Sequence, residues 1–272
     1  MNNPAGCAYD VSTFYRFFIV LALIVTAKSI YGLNGFKKLV VTAVLSLIAI
    51  STVCAENVAE DFYTWAGFEM TGDMPKKNPY LKNFKYKLLM QGRFGDHSSQ
   101  FTQGLIRSGI GYNFNQKITT WLGYDWVPTS RPLALNAFND HALWQQLSVR
   151  NDYSFGTVIS RTRFEQHFFD IPGSTDVAQL FRQMFKLSIS MPAVSSHVSF
   201  VAWNEIFANM NSTDAGTRSG FNQNRAFVGL GYAISNSKLL EVGYMNQYIN
   251  RPHSPRPDQM LHVLSVTLLL NF

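Results

Sequence analysis

The carboxyl-terminal segment constrains the fold of this 272-residue chain more than any other stretch. Residues 261–272 alternate between two kinds of side chain, and a period of two is the period of a β-strand. One face carries Leu264, Val266, Leu268, Leu270 and Phe272, and the other carries Val263, Ser265, Thr267, Leu269 and Asn271. A wholly apolar face opposite a mostly small or polar one is typical of a strand between lipid and a polar lumen. An ordinary buried terminal strand is the alternative.

Segments of similar length and alternation recur upstream, separated by turn residues and prolines. We predict strands at 62–70, 84–94, 103–114, 117–127, 141–151, 157–166, 179–191, 198–207, 224–234, 239–249 and 261–272. Short connections alternate with longer ones, as they do between the periplasmic and outer ends of a membrane barrel. The prediction is therefore an all-β fold, an antiparallel transmembrane β-barrel. Bacterial single-chain barrels have an even strand number, so we expect ten or twelve strands.

The amino-terminal region reads as a leader. Lys37-Lys38 precede an uncharged run at 39–53, and Val53-Cys54-Ala55 has the small residues of a cleavage site. We therefore predict a signal peptide at 37–55. Residues 1–36 contain a second apolar stretch and are an extension of uncertain status, either a start codon placed too early or a true amino-terminal helix. Cys54 as a lipidated residue is a weaker alternative.

Composition limits the function classes open to the barrel segment, residues 56–272. Both cysteines precede the expected cleavage point, which excludes disulfides and Cys-metal sites after it. Much of the formal charge of +6 comes from the leader, and no basic tract suggests a nucleic-acid partner. The histidines show no metal-ligand spacing. We expect no metal and no cofactor.

Charged residues lie on the faces opposite the apolar rows. The candidate lumen charge cluster is Arg150, Arg161, Arg163, Glu165, Arg182, Lys186, Glu205, Arg225 and Glu241. Apolar residues alternate with them, and Phe164, between Arg163 and Glu165, is expected to face lipid. Two interpretations follow. The cluster is either a set of ion pairs that holds a filled lumen together, or an excess-cationic, porin-like passage for anions.

Several short motifs, in this order, resemble the DUF2490 family of uncharacterised proteins. They are Trp65, Gly109-Ile110-Gly111-Tyr112, Trp121-Leu122-Gly123-Tyr124, Arg161-Thr162-Arg163-Phe164-Glu165, Trp203-Asn204-Glu205, Asn224-Arg225, Gly229-Leu230-Gly231-Tyr232 and Leu240-Glu241-Val242-Gly243-Tyr244. The resemblance covers most of residues 60–272. It implies a secreted outer-membrane barrel of a Gram-negative bacterium and supplies no catalytic residue.

The terminal Phe272 resembles the assembly signal of outer-membrane barrels. Together these features predict a structural protein or narrow transport channel of the bacterial outer membrane. Its expected partners are membrane lipid, lipopolysaccharide and the barrel-assembly machinery, and the barrel is expected to be a monomer. The rival function is a lipid-active hydrolase, because His97-Ser98-Ser99 and His197-Val198-Ser199 both place His two residues from Ser. That spacing arises often by chance, so we expect no catalytic residues and no enzyme.

Overall fold

A computed structural model describes residues 58–75, 77–252 and 257–272. The predicted signal peptide and the extension before it lie outside these ranges. Eleven strands are formed, and each predicted segment overlaps one of them. They are β1 (Val58–Asp73), β2 (Phe84–Gly95), β3 (Gln100–Asn113), β4 (Ile118–Thr129), β5 (Phe138–Tyr153), β6 (Gly156–Phe169), β7 (Ala178–Ser190), β8 (Val198–Asn209), β9 (Gly220–Ser235), β10 (Lys238–Ile249) and β11 (Asp258–Asn271). The described ranges contain no helix that is long and apolar enough to cross a membrane.

The strands form one closed barrel in sequence order, so the all-β barrel prediction is confirmed. The expected strand number of ten or twelve was wrong, because the barrel has eleven. The difference lies in the closing pair. β1 runs parallel to β11, from Val58 opposite Asp258 to Thr71 opposite Asn271, whereas every other neighbouring pair is antiparallel. A parallel closing pair removes the requirement for an even count.

The connections divide the barrel into two ends. The long-loop rim carries the connections 96–99, 130–137, 170–177 and 210–219, the end of β10, and the starts of β11 and β1. The short-turn rim carries 74–83, 114–117, 154–155, 191–197 and 236–237, together with the carboxyl terminus. Long and short connections therefore segregate largely as predicted. The exceptions are 74–83 and 96–99.

Side chains alternate between lumen and outer surface, as the period of a strand requires. In β4, Trp121 and Asp125 are 8% and 3% exposed, whereas Leu122 between them is 61% exposed. In β11, Val263 is buried and Leu264 is exposed. Many large apolar side chains point outward in this way. They include Met90, Ile110, Tyr124, Trp126, Leu143, Leu147, Val228, Leu230, Tyr232, Val242 and Tyr244.

Inward-facing glycines make room for the aromatic side chains that fill the lumen. A Cβ added at Gly123 would lie 2.2 Å from Cζ2 of Trp144, and one added at Gly109 would lie 2.7 Å from Cη2 of the same ring. Phe227 lies over Gly229 and Gly243 in the same way. These contacts explain the repeated Gly-x-Gly motifs, in which the residue between the glycines faces outward.

Gly123→Ala should lower the free energy of unfolding by about 1–3 kcal/mol, the usual cost of overpacking. The added methyl would also lie 2.3 Å from the backbone oxygen of Ser108, which cannot rotate away. Gly104→Ala is the control, since its nearest neighbour is Cγ of Pro128 at 3.3 Å. Urea unfolding of both variants in detergent micelles measures the difference. Equal unfolding curves would contradict this packing account.

Candidate functional site

The centre of the candidate site is a buried network on β6, β7 and β8. Arg182 Nη1 donates to Glu165 Oε1 at 2.7 Å, and Arg182 Nη2 lies 2.9 Å from Glu205 Oε1. Arg163 Nη1 donates to Glu165 at 3.2 Å. Arg161 Nη2 donates to Glu205 at 2.9 Å. Two carboxylates thus share three guanidinium groups, and Arg163 and Glu165 are 1% and 2% exposed.

A second ion pair extends the network to β3 and β4. Arg107 and Asp125 lie opposite each other in register, and Arg107 Nε donates to Asp125 Oδ1 at 2.8 Å. Trp144 on β5 donates its Nε1–H to the same oxygen at 2.6 Å. The guanidinium of Arg163 stacks over the Trp144 ring, with Cζ 4.4 Å from the ring centroid. Buried charges in this network therefore have both ionic and aromatic partners, as desolvated charges require.

Other ion pairs lie outside this network. Lys186 Nζ on β7 reaches Glu241 Oε1 on β10 at 2.5 Å, although these strands are not neighbours. Lys87 on β2 pairs with Glu69 on β1 at 2.9 Å. The Lys186–Glu241 contact joins strands separated by two others and therefore fixes the distance across part of the lumen.

The structure does not bring all the candidate cluster together. Arg161, Arg163, Glu165, Arg182 and Glu205 form the buried network described above. Arg150 lies apart at the short-turn rim, where it pairs with Asp152, and both side chains are more than half exposed. Arg225 faces inward and makes no ion pair among the described residues; its Cζ lies 4.7 Å from the Phe207 ring centroid.

Sequence reasoning missed His167, Arg107 and Trp144 as members of the network. His167 Nδ1 lies 2.9 Å from Asp140 Oδ2, and Nε2 lies 3.0 Å from Glu165 Oε2, so the ring bridges two carboxylates. His167 is two residues from Glu165, so the period of a strand could have placed it on the same face as the candidate cluster. The sequence signal for Arg107 was weaker, because its neighbours on the same strand face are small or apolar.

Neither His-x-Ser motif forms a bonded pair among the described residues. The His97 side chain is 86% exposed, and Ser99 Oγ donates to the carbonyl oxygen of Asp96 at 2.6 Å. Ser199 Oγ donates to the carbonyl oxygen of Gly231 at 3.4 Å. His197 lies by the short-turn rim, where its ring packs near Tyr232.

At the long-loop rim, Asp214 ties the 170–177 connection to the 210–219 connection. Its carboxylate accepts hydrogen bonds from the Thr175 backbone N–H at 2.9 Å and from Ser174 Oγ at 2.7 Å. Asp176 accepts a bond from the Asp214 backbone N–H in return, at 2.9 Å. The hydrogen bonds that the Asp214 carboxylate accepts hold its pKa below the usual value of 3.8, and the bond from the Thr175 backbone N–H has the largest effect among them.

Acidification should therefore release this loop contact. Because the pKa of Asp214 is depressed in the folded state, its contribution is complete above pH 3.8 and is lost as the pH falls through the lowered value. Spin labels on the two connections should move apart over that range. Asp214→Ala should show the larger separation at every pH. A native distance that stays constant throughout acidification would contradict this prediction.

Three comparisons with known proteins bear on this barrel. An uncharacterised protein of Methylorubrum extorquens is 29% identical over 231 residues, which are 85% of this chain and 96% of that protein. The siderophore receptor PirA from Pseudomonas aeruginosa aligns with a TM-score of 0.28 and 10% identity, over 61% of this chain and 31% of the receptor. The family described as a protein of unknown function, DUF2490, matches residues 62–258. The chain therefore belongs to the DUF2490 family.

Proposed function

We propose that this protein is a bacterial outer-membrane β-barrel whose lumen is closed by its own side chains. In this proposal it is a structural or binding protein of that membrane and not an open porin. It works as a monomer in contact with lipid and lipopolysaccharide, and neither His-x-Ser motif has a catalytic role.

The observation that carries the proposal is the burial of inward side chains on all eleven strands. Every one of the eleven strands contributes an inward side chain that is at most 9% exposed. In strand order these are Trp65, Arg93, Arg107, Asp125, Trp144, Arg163, Arg182, Glu205, Phe227, Met245 and Val263. Small barrels have interiors that side chains can fill completely. Side chains buried on every strand leave little room for a water-filled path.

The outer surface supports a membrane location. Leu122, Ile110 and Leu230 are 61%, 56% and 52% exposed, and aromatic residues such as Tyr232 lie among them. Soluble monomers rarely expose large contiguous apolar patches. A closed barrel also pairs the backbone groups of every strand, which the hydrocarbon core of a membrane requires.

Measurements of conductance distinguish a closed barrel from an open channel. The refolded protein should give no stable ohmic steps in a planar bilayer, under conditions in which a general porin conducts. Vesicles that contain it should not swell in isotonic arabinose. Steady channels or swelling would overturn the closed lumen, and recovery of the native protein outside the outer-membrane fraction would overturn the location.

Phe272 gives a separate prediction about assembly. Its backbone N–H donates to Thr71 at 2.9 Å, and its carbonyl oxygen accepts from Asp73 at 3.0 Å, while its side chain is 61% exposed. Phe272→Ala preserves these backbone bonds and removes only the ring. If the ring is the assembly signal, Phe272→Ala and deletion of Phe272 should both lower the heat-modifiable, inserted fraction.

Phe272→Tyr is the matched control for assembly and should insert normally. Secretion should be intact in all three variants, as measured by the amount of processed chain in the periplasm and membranes. Normal insertion of both Phe272→Ala and the deletion would show that Phe272 is not a signal.

A further inference from the structure

Two lumen arginines differ from the other inward cations. Arg93 on β2 and Arg225 on β9 have no carboxylate within ion-pair distance among the described residues. The other inward cations all have one: Lys85, Lys87, Arg107, Arg161, Arg163, Arg182 and Lys186. A buried cation without a counter-ion is costly. Arg93 is buried, and Arg225 is partly buried.

The two uncompensated arginines meet at one indole ring. Arg93 Cζ lies 3.9 Å from the ring centroid of Trp65, and Arg225 Cζ lies 5.0 Å from the same centroid. Their hydrogen-bond acceptors are neutral amides. Arg93 donates to Gln91 at 2.9 Å and to Gln103, and Arg225 donates to Gln223 at 3.5 Å. Two like charges are thus held beside one ring, and neither has a carboxylate within ion-pair distance among the described residues.

Hydrogen-bonding capacity is also unused at this ring. Trp65 is 5% exposed, and its buried Nε1–H has no acceptor in the described part of the chain. The buried Nε–H of Arg225 has none there either. Leaving a buried donor unsatisfied costs free energy that a bound acceptor would recover. Positive charge and unpaired donors at one place both favour the same kind of ligand, an anion.

We propose that Trp65, Arg93 and Arg225 form an anion-binding site inside the barrel for a small oxyanion group. A guanidinium presents paired N–H donors that match the oxygens of a carboxylate, phosphate or sulfate. The site lies toward the long-loop rim, because Arg93 is two residues from the end of β2. Arg225 is only partly buried, so solvent reaches the site. The inference rests on the closed lumen proposed above, which makes this a binding site rather than a passage.

The Trp65 indole N–H reports directly on occupancy. It is observed by ¹H–¹⁵N NMR of the refolded full barrel in detergent micelles and assigned by its disappearance in Trp65→Phe. Sodium phosphate, sulfate and acetate are titrated at constant ionic strength against sodium chloride. We expect a saturable shift with at least one oxyanion, and the three arms show whether the site prefers a phosphate, a sulfate or a carboxylate group. Arg93→Gln and Arg225→Gln should each weaken binding about tenfold or more, as loss of a charged hydrogen bond predicts.

Arg150→Gln is the matched control, because Arg150 is an exposed arginine at the opposite rim, and it should leave the titration unchanged. Heat-modifiability confirms that each variant is folded. No saturable shift with any of the three anions would overturn the site, as would titrations in Arg93→Gln and Arg225→Gln that equal the native one. Conductance tests the proposed function separately, since a barrel that conducts and still shows the saturable shift would lose the closed lumen and keep the site.

Discussion

Glu165→Leu should lower the free energy of unfolding by about 3–5 kcal/mol, the usual cost of removing one partner from a buried ionic group. Glu165 Oε1 accepts bonds from Arg163 and Arg182 and lies 3.7 Å from Arg107 Nη2, while its other oxygen meets His167. The substitution would leave these cations facing one another in a site that water scarcely reaches. Urea unfolding in micelles, followed by tryptophan fluorescence, measures the loss.

An exposed ion pair provides the control for Glu165. Asp152→Leu removes the partner of Arg150, whose side chain is 54% exposed, so the cost should be about 0–1 kcal/mol. Glu165→Gln keeps one acceptor oxygen and should fall between the two. If Glu165→Leu and Asp152→Leu cost the same, the lumen network contributes no more than a surface pair.

Phe164→Arg should prevent most of the protein from inserting into membranes. Phe164 lies between the inward Arg163 and Glu165 on β6 and faces the outer surface, opposite Phe181 of β7. An arginine on the lipid face costs about 2–4 kcal/mol near the midplane of the membrane. The inserted fraction is measured by heat-modifiability after refolding into vesicles. Phe164→Leu keeps an apolar side chain and should insert normally.

Spin labels test the same assignment of strand faces without placing a charged side chain on the outer surface. A label at 164 should be reached by a lipid-soluble quencher, and a label at 163 should not be. Equal accessibility at both sites would show that the two faces are wrongly assigned. Normal insertion of Phe164→Arg would place this part of β6 outside the hydrocarbon core.

The alternation of side chains was enough to predict the strands and their faces, because a period of two is a local property of the chain. It could not decide how the barrel closes. The segment at 62–70 had no place in an up-and-down count, since each residue of β1 pairs in parallel with the residue 200 positions later in β11. No local sequence pattern predicts a pairing between segments so far apart in the chain.

Local periodicity was limited in the same way for the candidate site. Periodicity put Arg161, Arg163 and Glu165 on one face, and the structure places them there together. It could not give the partners, because these depend on strand stagger and on closure. Lys186 meets Glu241 across the lumen, and Arg163 stacks on Trp144 from the neighbouring strand. Arg150 shares its strand face with lumen residues but lies too near the short-turn rim to be buried.

The parallel pairing of β1 with β11 has a practical consequence for engineering this barrel. Val58 and Phe272 lie at opposite rims, so reporter groups fused before β1 and after β11 would sit on opposite sides of any membrane that the barrel crosses. Circular permutation is difficult for the same reason, because the two ends that must be joined lie at opposite rims. A barrel with antiparallel closure can be rejoined by a tight turn, but here the new linker would have to run the full length of a strand at about 3.3 Å per residue. In a membrane it would have to pass through the lumen, which we propose is closed by side chains.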